Sequence, residues 1–143
     1  MKDNMENTMM NEMDHVLRTM SFEFFGAGKH KLEMGKLLTM DNAVFLDVRS
    51  YPEVESLQLK LEYHIEVLHI PIDEIPDRIA EIPRNRMVGI FCSAGTRSAT
   101  VYAFLRAKGY ENVRVVLGGY EAVASFVLPG KLLKHIEMKK AGE

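Results

Sequence analysis

Tryptophan is missing from this 143-residue sequence, cysteine occurs once, and no apolar run approaches the roughly 20 residues that span a bilayer. A single cysteine cannot close an intramolecular disulfide, so the fold must rest on its core, and a reducing compartment is the expected setting. Neither charge dominates: 18 basic and 20 acidic residues leave a net charge of −2. The basic face of a nucleic-acid binder is therefore not expected. The first residues lack a continuous apolar core with a basic flank, so no secretory signal is expected and the cytoplasm is the expected location. His15, His30 and His135 show no metal-ligand spacing with the cysteine or with carboxylates, and His64 and His69 read as packing or surface side chains. No metal, cofactor or membrane partner is expected. What is present is a 47% hydrophobic content, enough for one domain with a real core.

The single cysteine, Cys92, ends the apolar run Met87-Val88-Gly89-Ile90-Phe91, which reads as a buried strand. A helical pattern follows at once, with Ala99, Tyr102, Ala103, Leu105 and Arg106. Strand, tight turn and helix place the thiol at the bottom of Cys92-Ser93-Ala94-Gly95-Thr96-Arg97-Ser98. The amides of such a turn and the free N–H groups of the helix start form a cradle for negative charge. An ordinary thiol has a pKa of about 8.5, and only the thiolate is a nucleophile. Lowering that value by two units takes about 2.7 kcal/mol, within reach of several N–H donors, a helix end and one guanidinium. Gly95 can take the positive φ that such a loop needs. Ser93, Ala94 and Thr96 are small and leave the mouth open, Arg97 is placed to close the rim, and Ser98 to cap the helix or donate to the loop.

Short apolar runs alternate with helical patterns along the chain. Ala43–Val48, Glu66–Ile70, Met87–Phe91 and Val113–Leu117 read as strands; Lys31–Leu38, Pro52–Lys60, Asp73–Ile82, Arg97–Lys108 and Tyr120–Leu128 read as helices, with Gly109 ending one and Pro129-Gly130 another. This order predicts an α/β fold with a mostly parallel central sheet of four to five strands and helices on both faces. Ligands of such sheets bind at the carboxyl ends of strands. Cys92 lies at one such end; Asp47 and Arg49 lie at another. Asp47 reads as a carboxylate tying loops together, and Arg49 as its ion-pair partner or as a residue lining the substrate entrance.

Residues 1–20 differ from the rest. Met5, Met9, Met13, Val16, Leu17, Met20 and Phe24 fall on one helical face, with Asn and acidic side chains opposite. The stripe is a helix packed on its own domain, a dimerisation or docking helix, or a leader. Residues 21–128 form the expected main domain. Residues 129–143, with four lysines, read as a basic tail containing a short helix and a solvated end.

In the loop from Cys92 to Arg97 the chain resembles the rhodanese family, the single-domain sulfurtransferases, whose active loop has four residues between a catalytic cysteine and an arginine. The resemblance extends to Phe45-Leu46-Asp47-Val48-Arg49-Ser50 with Pro52-Glu53, to His69-Ile70-Pro71-Ile72-Asp73-Glu74-Ile75, to Lys108-Gly109-Tyr110-Glu111-Asn112-Val113 and to Leu117-Gly118-Gly119-Tyr120-Glu121-Ala122. Together these cover about residues 40–125 in the family's order. The chain departs from the pattern between His64 and Pro71, where the usual Gly-Ala pair is missing, and at Val123, where the family often has tryptophan.

The resemblance implies a thiosulfate sulfurtransferase-like enzyme. A sulfur atom would pass from thiosulfate or a persulfide donor to Cys92, and from a Cys92 persulfide to a thiol acceptor. Residues 93–98 would cradle the persulfide, with Asp47 and Arg49 supporting. With no second cysteine, the acceptor must come from outside. Two alternatives stand beside this reading. One is a sulfur carrier or interaction module without turnover, docked through the Met-rich helix to a protein partner or a second copy. The other is a cysteine-dependent phosphatase or arsenate reductase-like enzyme, although those place five residues between cysteine and arginine.

Overall fold

The computed structural model describes residues 12–142; Met5 and Met9 of the N-terminal stripe lie outside them. Five strands form one sheet: β1 (Lys31–Leu32), β2 (Val44–Asp47), β3 (Glu66–His69), β4 (Val88–Phe91) and β5 (Val113–Val116). Their order is β1-β5-β4-β2-β3, and every pairing is parallel, with Val44 opposite both Glu66 and Val88. The helical segments are α1 (residues 12–19), α2 (Phe22–Gly26), α3 (Met34–Thr39), α4 (Tyr51–Ser56), α5 (Ile75–Arg78), α6 (Thr96–Ala107), α7 (Gly119–Phe126) and α8 (Pro129–Ala141).

The strands alternate faces, and the two faces make two cores. Val44, Leu46, Val48, Val88, Ile90, Cys92, Val113 and Val115 pack with Ile75 of α5 and with Val101, Tyr102 and Leu105 of α6. Phe45, Phe91 and Val116 face the other way, onto Met34, Leu37 and Leu38 of α3 and Val123 of α7. A sheet buried on both faces requires the near-continuous apolar strands read from the sequence. Cys92 therefore lies on the α6 face, two residues beyond Ile90 in the same alternation.

Several boundaries differ from the sequence expectation. The run Lys31–Leu38 is not one helix: Lys31 and Leu32 pair with Val115 and Val116 as the edge strand β1, and the helix starts at Met34. Two residues are too few for a period-2 signal, so an edge partner decides them. The segment Pro52–Lys60 is helical only to Ser56, and Asp73–Ile82 breaks into short 3-10 and α turns. Pro129-Gly130 does follow the end of α7, whose C-cap is Val127, but it also starts a further helix: Pro129 occupies the first turn of α8, where its missing N–H costs nothing. Helix α8 runs on to Ala141 instead of fading into a solvated end. It docks at the amino ends of the strands, where His135 is buried and stacked on His64 with ring centroids 4.5 Å apart. Of the N-terminal stripe, Val16 is buried in its own domain, Met20 and Phe24 pack against the α6 core, and Arg106 of α6 donates to Thr19.

Candidate active site

Strand β4 delivers Cys92 to the carboxyl edge of the sheet and α6 begins four residues later. Gly95 makes that short reversal possible: its φ of +92° lies in the left-handed region, which costs glycine nothing. The turn aims amides at the sulfur. Gly95 N–H donates to Cys92 Sγ at 3.0 Å and Ser98 N–H at 3.3 Å. The Ser98 hydroxyl sits 3.4 Å from Sγ and donates to the Gly95 carbonyl at 3.0 Å. Ser98 lies in the first turn of α6, and its hydroxyl serves the loop rather than capping the helix. Burial pushes the Cys92 thiol up, but hydrogen bonds from the Ser98 hydroxyl and from the amides of Ser98, Ala94 and Gly95 outweigh it, so the pKa falls below the ordinary thiol value. Ala94 and Thr96 are exposed and Ser93 is half-buried, while Cys92 beneath them is only 3% exposed.

Arg97 stands at the rim but is not free. Its Nη1 and Nη2 donate to Glu53 Oε1 and Oε2 at 2.6 and 2.9 Å, and Nη2 also donates to Ser93 Oγ at 3.0 Å. Glu53 in turn accepts from the Ser50 amide at 3.1 Å and the Ser50 hydroxyl at 2.7 Å, closing the first turn of α4. The Arg97 guanidinium, then the Ser50 hydroxyl, hold the Glu53 carboxyl well below the usual carboxylate range. The pair with Glu53 raises Arg97, and the negative charge on Cys92 adds to the same effect. Glu53 is the site residue that sequence reasoning missed. Its Ser50-x-x-Glu53 spacing marks a helix start, but nothing local points to an arginine 44 positions away.

Asp47 and Arg49 lie beneath this edge as a buried pair. Arg49 Nη2 meets Asp47 Oδ2 at 2.8 Å, and the Arg49 amide and Nε also reach the carboxylate. The far Nη1 donates to the Leu57 carbonyl at 2.9 Å and the Tyr120 hydroxyl at 3.1 Å. Arg49 is 0% exposed, so it does not line an entrance: it ties β2, the end of α4 and the start of α7 together. His69 bonds the Arg49 carbonyl at 2.7 Å. The turn into α7 also braces the loop, because a Cβ on Gly119 would lie 2.4 Å from the Ser93 carbonyl oxygen. Backbone from the β5–α7 turn thus packs directly on the cysteine loop.

The arrangement suits a buried thiolate that carries one more atom, with amides placed for the added negative charge. No group of His, Cys, Asp and Glu suited to a metal occurs among the described residues, nor does a helix long and apolar enough to cross a membrane. A groove of about 570 Å³ lies at the opposite end of the sheet between Leu38, His64, Arg86 and Lys139 and contains none of the loop residues.

Comparison with known proteins agrees with this geometry. The rhodanese-like domain family matches residues 31–125. A sulfurtransferase of Allochromatium vinosum is 32% identical over 94 residues, which cover 66% of this chain and 83% of that protein. A tRNA sulfurtransferase of Aeromonas hydrophila is 33% identical over 75 residues, 52% of this chain but 15% of its relative. The structure of reduced CoADR-RHD from Bacillus anthracis matches with a TM-score of 0.60 at 26% identity, over 76% of this chain and 19% of that one. The chain therefore spans only a small share of the latter two proteins. Because the family match runs from β1 into α7 and takes in every strand and the whole cysteine loop, this chain belongs to the rhodanese-like domain family, in the company of sulfurtransferases.

Proposed function

We propose that this protein moves sulfane sulfur through a persulfide on Cys92, from thiosulfate or a persulfide donor to a thiol acceptor. The observation that carries the reading is the convergence of the Gly95 and Ser98 amides and the Ser98 hydroxyl on one sulfur. In the first half-reaction the Cys92 thiolate attacks the outer sulfur of the donor. With thiosulfate, a sulfur–sulfur bond to Cys92 forms, the donor's own sulfur–sulfur bond breaks, and sulfite leaves with the electron pair. The persulfide then bears the negative charge on its terminal sulfur, and preorganised N–H groups stabilise it as they would an oxyanion. In the second half-reaction an acceptor thiolate attacks that sulfur and the Cys92 thiolate is released. This is covalent catalysis with a ping-pong order.

Residues 93–98 supply the cradle, and Asp47 and Arg49 keep its floor in place. Four residues between Cys92 and Arg97 favour a single added sulfur over a tetrahedral oxyanion, which argues against phosphatase chemistry. A carrier that never turns over would share the first half-reaction. A reducing compartment such as the cytoplasm supplies the external thiol that a one-cysteine chain needs. Intact-mass measurement after thiosulfate or persulfide treatment tests the reading. Wild type gains one sulfur and loses it on adding a thiol, and Cys92→Ser gains none. Aryl phosphate hydrolysis without that gain would overturn the assignment.

A further inference from the structure

The rim of the site holds its charge in an unusual state for a catalyst of anionic donors. The one cation within the loop, Arg97, gives two donors to Glu53 and one to Ser93. Arg97 and Glu53 side chains are 30% and 31% exposed, so the pair sits at the mouth rather than beneath it. Arg49 is fully buried and committed to Asp47, Leu57 and Tyr120. Ser93, Ala94 and Thr96 bring no charge. An incoming dianion therefore meets a guanidinium already neutralised, with a carboxylate beside it.

We infer that Glu53 is a specificity-determining residue: by clamping Arg97 it disfavours dianionic donors such as thiosulfate and favours sulfane donors that carry one charge or none. The inference rests on the sulfur-transfer reading and names the donor class for that site. A dianion must break or share a bidentate pair that a singly charged donor can leave intact, and the Glu53 charge repels it twice as strongly. With a low-molecular-weight persulfide R–S–S–H the step balances without a second anion. Cys92 Sγ bonds to the outer sulfur and the sulfur–sulfur bond of the donor breaks. The thiolate RS⁻ departs with the electron pair, and the proton of the outer sulfur passes to it, leaving Cys92–S–S⁻. Glu53 acts here through Arg97, as a positioning residue.

Two donors that differ by one charge test this. Thiosulfate is a dianion; methanethiosulfonate is a monoanion that offers the same sulfane sulfur and leaves as methanesulfinate. The ratio of kcat/KM for thiosulfate to that for methanethiosulfonate is measured in wild type and in Glu53→Gln, with cyanide as acceptor and thiocyanate as product. Because both donors are read in one preparation, the ratio cancels any loss of folded protein. In Glu53→Gln the ratio rises about tenfold at low salt, mainly through a lower KM for thiosulfate, and falls back toward wild type as salt is added. A ratio that stays constant or falls overturns the inference while sulfur transfer stands. Failure of wild type to form a Cys92 persulfide with either donor overturns the sulfur-transfer reading, and this inference with it.

Discussion

Removing one oxygen atom, in Ser98→Ala, probes the thiolate directly. Ser98 is 0% exposed; its amide, 3.3 Å from Sγ, is untouched by the substitution. The hydroxyl has two partners and one proton. While Cys92 is a thiol, S–H donates to Ser98 Oγ and the hydroxyl donates to Gly95, 3.0 Å away. Once Cys92 ionises, the hydroxyl can turn to Sγ and give up Gly95. A hydrogen bond to a charged group is worth about 1.5–3 kcal/mol and a neutral one about 1 kcal/mol. The net gain for the thiolate is then about 0.5–2 kcal/mol, and at about 1.4 kcal/mol per pKa unit its loss raises Cys92 by about one unit. Burial, which already pushes the thiol up, loses its main opponent. The rate of iodoacetamide alkylation against pH, followed by intact mass, reports the value. Wild type inflects below the ordinary thiol at about 8.5, and Ser98→Ala inflects at higher pH. Stability follows with the same sign. A depressed folded-state pKa contributes stability that is complete above the unfolded-state value and is lost as pH falls through the folded one. Ser98→Ala narrows that window, so its midpoint in urea gains less than wild type between pH 6 and pH 9, a range chosen around the ordinary thiol pKa of about 8.5. An alkylation profile that superimposes on wild type, or moves to lower pH, refutes the reasoning.

Two further substitutions separate the floor of the site from its wall. Asp47→Asn leaves the buried Arg49 guanidinium without its counter-charge, which should cost about 3–5 kcal/mol in urea denaturation; a loss under about 1 kcal/mol would show the pair to be dispensable. Gly119→Ala places a Cβ against the Ser93 carbonyl at a φ of +53°. It should slow persulfide formation about tenfold or more by displacing the loop, while the melting temperature falls only modestly. Equal rates for mutant and wild type would mean that the turn before α7 does not set the loop.

The cysteine loop was legible because its parts are adjacent. Met87–Phe91, Gly95 and the helical run after Arg97 lie within about twenty positions, and backbone geometry alone converts such a run into strand, turn and helix. The parallel architecture was legible for a related reason: strands buried on both faces must be largely apolar, and residues 44–46 and Val88–Phe91 show it. By contrast, β1 could not be read from two residues whose state depends on pairing with Val115 and Val116. Nor could the full length and the docking of α8, read only as a short helix with a solvated end, because a lysine-rich segment looks solvated until His135 is found buried beside Leu38 and His64. For Arg49 the two sequence readings were equal until its guanidinium proved fully enclosed.

What the amino-acid order determined by itself is the position of the lone cysteine at a strand end and the shape of its amide cradle, since local chain geometry dictates both. Tertiary structure alone decided what Arg97 does. Its partner Glu53 arrives on α4, 44 positions earlier, and only the closing of β2 against β4 brings the two together. Charge is a property of residues, but its balance at a site is a property of distance, and distance between remote residues exists only after the chain has folded.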